Sequence, residues 1–382
     1  MAAIKTILHL TPFFSPNIGG VETHLTDLTT ALSTKKYKNI VLTYSPITTP
    51  HTSWKKSESP NPHLFIRRFA WIGRNLFHRL EAKPLINFLY LTPYYFFRVF
   101  IWLLFHPRPI DTIHSHGLNA ALVGIIIKAI FRFPNHILSI YSSYDSVPQS
   151  PRLKRLMLFI LNHVDHILTQ SKISLRQLIQ LGASSSKLSI YHHWIDLRRF
   201  SPQSQKSARE ITHLPPGFTV LFIGRLIPQK GALLLAKVAA KLPRINFVFV
   251  GGGPDYFRLK QYSSRFPNIK PVGNVPYHQL HHYYASADLF CLPSLYEEGW
   301  GRVILEALGC GIPVVASNLG AVPEVITPSV SFIAKPTVAN FSRLISKLYH
   351  QPKLYINLQK NCRFYALRHF SIKNLELITR YY

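Results

Sequence analysis

Pro293-Ser294-Leu295-Tyr296-Glu297-Glu298-Gly299-Trp300-Gly301-Arg302-Val303-Ile304-Leu305-Glu306-Ala307 is the stretch on which the fold turns. Acidic side chains are scarce in this chain, 16 against 44 basic ones, so two glutamates placed this close call for a reason. Glu298 precedes a Gly-Trp-Gly turn, and Glu306 lies inside the apolar run Val303 to Leu308. That run reads as a helix opening just after the glycines, with Glu298 on the loop and Glu306 roughly one turn into the helix. A glycine-rich turn feeding a helix presents unpaired N–H groups and the positive end of the helix dipole, which favours phosphate. Carboxylates on both sides of an anion site suit a sugar nucleotide, one for a sugar hydroxyl and one for the ribose. A surface loop followed by an ordinary amphipathic helix is the plainer alternative.

Working outward, apolar stretches rich in Val, Ile and Phe alternate with helical patterns, which points to an α/β protein with parallel sheets. In the first half the strands read as Thr6–Leu10, Ile40–Tyr44, Thr112–His116, Ile137–Tyr141, His166–Thr169 and Leu188–Tyr191. The second half gives Val220–Ile223, Asn246–Val250, Ile269–Val272, Leu289–Leu292, Pro313–Ala316 and Val330–Ile333. Between the two series, Leu197 to Phe218 is polar, proline-containing and aperiodic, as an interdomain linker is. The expectation is two Rossmann-like, doubly wound domains facing a central cleft, 1–204 and 205–382, with the last ~20 residues as candidates to pack back on the first domain.

At 382 residues with 47% hydrophobic side chains, the chain can bury two full cores and is not a disordered polymer. Cys291, Cys310 and Cys362 lack CxxC spacing, which favours reduced thiols over a zinc site and suits a cytoplasmic protein. The apolar run Ile4 to Leu10 is too short for a signal core. The net charge of +28 divides almost evenly between the two halves. A field spread over folded domains attracts polyanions such as anionic lipid, nucleic acid or phosphorylated substrates, and charge alone does not choose among them.

One segment departs from the α/β pattern. Aromatic side chains crowd the interval from Phe65 to Phe105, among Arg67, Arg68, Arg74, Arg79, Lys83 and Arg98. Leu85 to Phe105 has about the length of a membrane span, yet Pro93 and Arg98 interrupt it. A helical hairpin lying in a membrane interface is the expectation, with a buried aromatic helix as the alternative.

Four further motifs sit at predicted strand ends. Gly19-Gly20-Val21-Glu22 follows the first strand and opens a helix, at the edge where α/β folds bind ligands. In Ile113-His114-Ser115-His116-Gly117, strand alternation puts both histidines on one face, with His116 at the exposed carboxyl end. Ile223-Gly224-Arg225-Leu226-Ile227-Pro228-Gln229-Lys230-Gly231 brings an arginine and a lysine to one loop, where together they can grip a diphosphate. Val250-Gly251-Gly252-Gly253-Pro254 reads as a tight turn near the same crevice.

Taken together these motifs resemble retaining glycosyltransferases of family 4, which have the GT-B fold. The resemblance covers essentially the whole chain and is strongest from Val220 to Ile326. There GRLIPQKG, VGGGP, ADLFCLPSLYEEGWGRVILEALGCGIPVVAS and GAVPEVI stand in the family's order. The glutamate pair matches the family's E-x7-E signature.

The resemblance implies roles. Glu298 would contact the transferred sugar, and Glu306 would accept hydrogen bonds from the ribose hydroxyls. Arg225 and Lys230 would stabilise the departing diphosphate. Backbone N–H groups around Trp300, Gly301, Arg302 and Val303 would hold the sugar and distal phosphate. Gly20 would let its loop approach the diphosphate, and His116 would contact a donor-sugar hydroxyl. No Asp-x-Asp pair occurs, so no metal and no separate cofactor is expected: two cations and a helix end would serve. Two departures from the family pattern, His192-His193-Trp194-Ile195 and Ser142-Ser143-Tyr144, bear on the acceptor side.

The function expected is a metal-independent, retaining transfer of a hexose from a UDP- or GDP-sugar to a lipid-linked or cell-envelope glycan acceptor. The setting expected is cytoplasmic, on the inner face of an anionic membrane. The alternatives are a sugar-nucleotide epimerase or a phosphorylase on the same fold. A nucleic-acid partner is not expected, because the aromatics cluster beside an apolar stretch instead of interleaving with polar basic residues.

Overall fold

The computed structural model describes residues 4–17, 19–47, 52–71, 80, 84–141 and 151–382. Arg74, Arg79, Lys83 and Ser142-Ser143-Tyr144, singled out above, lie outside the described residues.

The chain divides into two compact units, one of Met1–Tyr191 with Lys373–Tyr382 and one of His192–Ile372. The division falls ahead of the boundary near 205 read from the polar linker. Its cause is apolar: Ile195 and Phe200 are buried in the core of the second unit beside Leu305, Ala307 and Phe370. The terminal segment belongs to the first unit, where Tyr381 stacks on His166 with ring centroids 3.7 Å apart.

The first unit holds an eight-stranded sheet in the order β3-β4-β2-β1-β5-β6-β7-β8. Its strands are β1 (Thr6–Leu10), β2 (Lys38–Tyr44), β3 (Ser57–Asn61), β4 (Leu64–Phe69), β5 (Thr112–His116), β6 (Asn135–Ser139), β7 (His166–Thr169) and β8 (Leu188–Ile190). All neighbours run parallel except β3, which pairs antiparallel with β4 at the edge. The second unit is a six-stranded, wholly parallel sheet, β11-β10-β9-β12-β13-β14. It comprises β9 (Thr219–Ile223), β10 (Asn246–Val250), β11 (Ile269–Gly273), β12 (Leu289–Leu292), β13 (Val314–Ser317) and β14 (Ser331–Ala334). Strands buried on both faces, such as β1 and β9, read as unbroken apolar runs, as parallel strands covered by helices must. The three cysteines are free and buried, and burial pushes each thiol's pKa up.

Among the described residues, the segment from Phe65 to Phe105 is strand at one end and helix at the other. Its first part is β4, held in parallel register against β2 from Asn39↔Leu64 to Tyr44↔Phe69. Its last part is a single helix, Pro84–Phe105, which runs through Pro93 without ending there. One stripe of that helix, with Leu91, Tyr95, Val99, Trp102 and Leu103, is buried in the core under β1 and β2. Packing along both halves keeps the helix continuous where propensity alone would break it.

Candidate functional site

Three loops at the carboxyl edge of the second sheet are pressed together backbone to backbone. The Leu226 N–H donates to the Gly252 carbonyl at 2.8 Å, and Leu295 N–H donates to the Gln229 carbonyl at 2.7 Å. Glycines permit this approach. A Cβ on Gly251 (φ 136°) would stand 1.9 Å from the Gly224 oxygen, and one on Gly231 (φ 72°) 2.0 Å from that of Pro293. The Val250–Pro254 turn therefore braces the Arg225–Lys230 loop, and that loop braces the segment leading to Glu298.

This bracing brings Lys230 and Glu298 together. The Lys230 ammonium donates to both carboxylate oxygens, at 2.7 and 2.9 Å. Side-chain exposures of 17% and 6% make the pair an interior one. Burial alone would lower the Lys230 pKa, but the Glu298 carboxylate and the Tyr296 hydroxyl outweigh it and the net shift is upward. The Ser294 hydroxyl donates to Glu298 Oε1 and the Tyr296 hydroxyl to Oε2 at 3.2 Å. The ammonium also stands 5.0 Å from the centre of the Tyr296 ring. Ser294 and Tyr296 were not singled out from the sequence. Both lie on the loop between β12 and Glu298, four and two residues before the carboxylate they serve, and that nearness is the signal that would have found them.

From behind, Glu298 is held by the loop after β13. Its carbonyl accepts from the Ala321 N–H at 2.9 Å, and Glu298 bridges Gly320 in parallel fashion. Arg225 stays exposed on the same loop as Lys230.

The helix after the Gly-Trp-Gly turn runs Arg302–Gly309, capped by Gly301 at φ 64° with no side-chain cap. Its first turn, Arg302 and Val303, follows the Gly-Trp-Gly turn, so the helix starts where the glycines end, as the sequence reading expects. Glu306 is 2% exposed, with both oxygens engaged inside the unit. It accepts from Tyr284 at 2.9 Å, Tyr277 at 3.2 Å and Arg302 Nε at 3.2 Å. Burial raises its pKa, against the pull of the Arg302 charge. The side chain expected on ribose hydroxyls thus first anchors its own helix.

The His192-His193 departure lies elsewhere than expected. The His192 ring stacks on Trp300 at 5.3 Å, and His193 is tilted against it at 6.4 Å. Burial, with Arg302 alongside, holds the His193 pKa well below its usual range. This change borders the helix start of the second unit, because residues from His192 onward fold with that unit.

In the first unit, Gly20 begins the helix Gly20–Thr34, and a Cβ there would meet nothing within 4 Å. His116 is not at an exposed end but buried, in a row of side chains crossing β2, β1 and β5. Alternation does put His114 and His116 on one face, and register adds His9 opposite His114.

Hydrogen bonding fixes the protons along this row. The Asn39 amide nitrogen donates to the carbonyls of Tyr37 and His63, which can only accept, so its Oδ1 faces His9 Nε2 at 3.1 Å. His9 Nε2 therefore carries its proton, and Nδ1 accepts from His116 Nε2 at 3.2 Å. His116 Nδ1 in turn accepts from the Tyr141 hydroxyl at 2.7 Å. Burial pulls the His9 pKa down to about 4 and those of His114 and His116 well below the usual range, which keeps the rings neutral. The three histidines offer ligand atoms within 4.8 Å of one another, a metal-like cluster. All six ring nitrogens already have hydrogen-bond partners, since His114 is held by Tyr382 and Ser139, so the row is complete as a network.

Solved structures share this architecture. Sucrose-phosphate synthase from Thermosynechococcus elongatus superposes with a TM-score of 0.81 at 20% identity, covering 98% of this chain and 97% of that one. Anabaena HepE in complex with UDP gives 0.77 at 19% identity, over 99% and 98%. The fold is GT-B.

Sequence comparison assigns family models to both parts of this GT-B chain. Glycosyltransferase Family 4 matches residues 18–199, and Glycosyl transferases group 1 matches residues 204–365. A D-inositol 3-phosphate glycosyltransferase of Mycolicibacterium smegmatis is 29% identical over 59% of the chain and 56% of its own length. The chain thus spans little more than half of that relative. A phosphatidylinositol N-acetylglucosaminyltransferase component from Arabidopsis thaliana is 24% identical over 89% of this chain and 73% of its own.

Proposed function

We propose that this protein is a metal-independent, retaining glycosyltransferase that moves a hexose from a nucleotide sugar to a lipid-linked, inositol-type or envelope-glycan acceptor. The observation that carries the reading is the buried Lys230–Glu298 pair on the loop that leads into the open helix start at Gly301. UDP is the favoured carrier, since HepE structures with UDP and with UDP-glucose share the fold. An inositol-type acceptor is supported by the names of the two relatives above.

Breaking the anomeric C–O bond sends its electron pair to the diphosphate and leaves positive charge on the sugar. Arg225, Lys230 and the N–H groups from Trp300 to Val303 stabilise the first. Removing one such donor costs on the order of 2.7–4 kcal/mol in the transition state. Glu298 stabilises the second. The acceptor oxygen attacks the face the diphosphate leaves, and a diphosphate oxygen takes the acceptor proton. Glu306 positions the helix through Tyr277, Tyr284 and Arg302, and accepts from the ribose on the lone pairs that remain. With a lipid-borne acceptor, the enzyme works on the inner, cytoplasmic face of an anionic membrane.

The test is release of nucleotide from UDP-, GDP- and ADP-sugars in the presence of chelator, with and without extracted membrane lipid. Release from one donor, increased by lipid, is expected. A requirement for added divalent metal overturns the metal-independent reading, and consumption of inorganic phosphate points to a phosphorylase instead.

A further inference from the structure

The helix Pro84–Phe105 is apolar on both sides, and only one side is covered. Leu89, Phe97, Ile101, Leu104 and Phe105 face outward at spacings of three, four and eight, which trace one stripe along the helix. Phe97 is 58% exposed, Ile101 48% and Phe105 77%. The neighbouring helix, Leu118–Phe131, packs against this one through Phe100 and Phe131, 6.0 Å apart, and exposes Ile126 and Ile130 of its own.

We propose that this face seats the first unit on an anionic lipid bilayer, with the helix Pro84–Phe105 lying in the plane of the surface. By length and composition the helix could cross a membrane. Its other stripe rules that out, because Tyr95, Val99 and Trp102 are packed under the sheet along the helix's length. A helix held by a sheet on one side and apolar on the other can lie only at an interface, its outer face sunk roughly 5–10 Å among headgroups and acyl chains. Charge selects lipid as the occupant. Neither helix carries an acidic residue, Arg108 and Arg132 are exposed just beyond their two ends, and the chain as a whole is at +28. Such a rim favours anionic headgroups.

The seat also orients chemistry. The Tyr95 hydroxyl donates to the Leu42 carbonyl and accepts from the Thr11 N–H, and Tyr44 donates to the Leu91 carbonyl at 2.6 Å. Asn119, just past β5, donates to Thr92 at 2.9 Å. The middle of the helix, Leu91 to Tyr95, thus touches the carboxyl ends of β1, β2 and β5, the edge at which parallel sheets bind ligands. A bilayer against the outer stripe brings headgroups beside that edge, which deepens the lipid-acceptor reading above and rests on it for the acceptor alone.

The experiment is flotation of the full chain with vesicles of equal parts phosphatidylcholine and phosphatidylglycerol, against phosphatidylcholine alone, at low and high salt. The protein should float with the anionic vesicles, and Phe97→Glu/Ile101→Glu should lose at least tenfold in vesicle binding. Circular dichroism and lipid-free nucleotide release should stay unchanged in that variant, since both positions are exposed. Equal flotation of variant and parent overturns the seat, as does a parent that stays in solution. So does a concentration-dependent dimer that the variant abolishes, which would assign the face to a second copy. A protein that floats yet turns over no nucleotide sugar overturns the enzymatic reading and leaves the seat standing.

Discussion

The Lys230 ammonium spans both carboxylate oxygens of Glu298, at 2.7 and 2.9 Å, in a site closed to all but a small fraction of solvent. A free carboxylate and a free ammonium are each costly to bury, so each is the reason the other is tolerated. On the proposed reading, a diphosphate arriving at the loop would compete with Glu298 for that ammonium, so that binding would exchange one ion pair for another and free the carboxylate as the sugar arrives.

Glu298→Gln keeps the shape and removes the charge. Sugar transfer should fall by about a hundredfold or more, the scale of one lost electrostatic contact. Lys230→Ala should do the same while leaving the carboxylate to Ser294 and Tyr296. Steady-state rates with the best donor, on protein whose circular dichroism matches the parent, check this, and near-normal rates in either variant sink the assignment.

Tyr284→Phe removes the donor to Glu306 Oε2 and to the Val303 carbonyl. A buried acceptor left short costs about 1–3 kcal/mol, so the urea midpoint should drop. The KM for the nucleotide sugar should rise, because Glu306 and the helix start lose a common anchor. An unchanged midpoint with an unchanged KM contradicts the role given to Glu306.

Gly320 sits at φ 59°, and a Cβ there would come within 2.4 Å of the Glu298 oxygen. Gly320→Ala should displace the Glu298 backbone and cost about 1–3 kcal/mol through strain. Activity should fall further than stability does. Melting temperature and kcat measured side by side check the difference, and a variant equal to the parent in both refutes the bracing role.

Acid should weaken the first unit. Burial holds His9 at about 4, below the 6.5 of an exposed imidazole. The unfolded chain then binds protons that the folded one refuses, so the stability is whole above 6.5 and is lost as pH falls toward 4. His9 alone accounts for about 3 kcal/mol over that window. Urea midpoints of the parent should decline across it, and those of His9→Gln should decline less. Parallel slopes would remove His9 from the account.

Much of this was legible in the sequence. β1, β5, β7, β10 and β12 are the apolar runs read at those positions, and the helix after Gly301 starts where the glycines end. Burial on both faces makes parallel strands visible. The antiparallel β3–β4 edge was not visible, because β3 (Ser57–Asn61) is polar and short. β4 was absorbed into an aromatic run that looked helical. His116 misled for a different reason: alternation gives the face of a residue but not what lies over it, and Tyr141 and His9 are remote in sequence. The place of His192 against Trp300 is likewise a tertiary fact, invisible to any local pattern.

Asn39 lies on β2, a strand away from His9 and two from His116. Yet because its amide nitrogen is committed to carbonyls, it acts as a one-way valve for the whole row. The position of the proton on the His116 ring is decided not beside the ligand edge but at the far end, by a neutral side chain on β2. Asn39→Asp would keep the acceptor facing His9 while setting its second oxygen against the carbonyls of Tyr37 and His63, so a conservative-looking exchange there strikes at the foundation of the row.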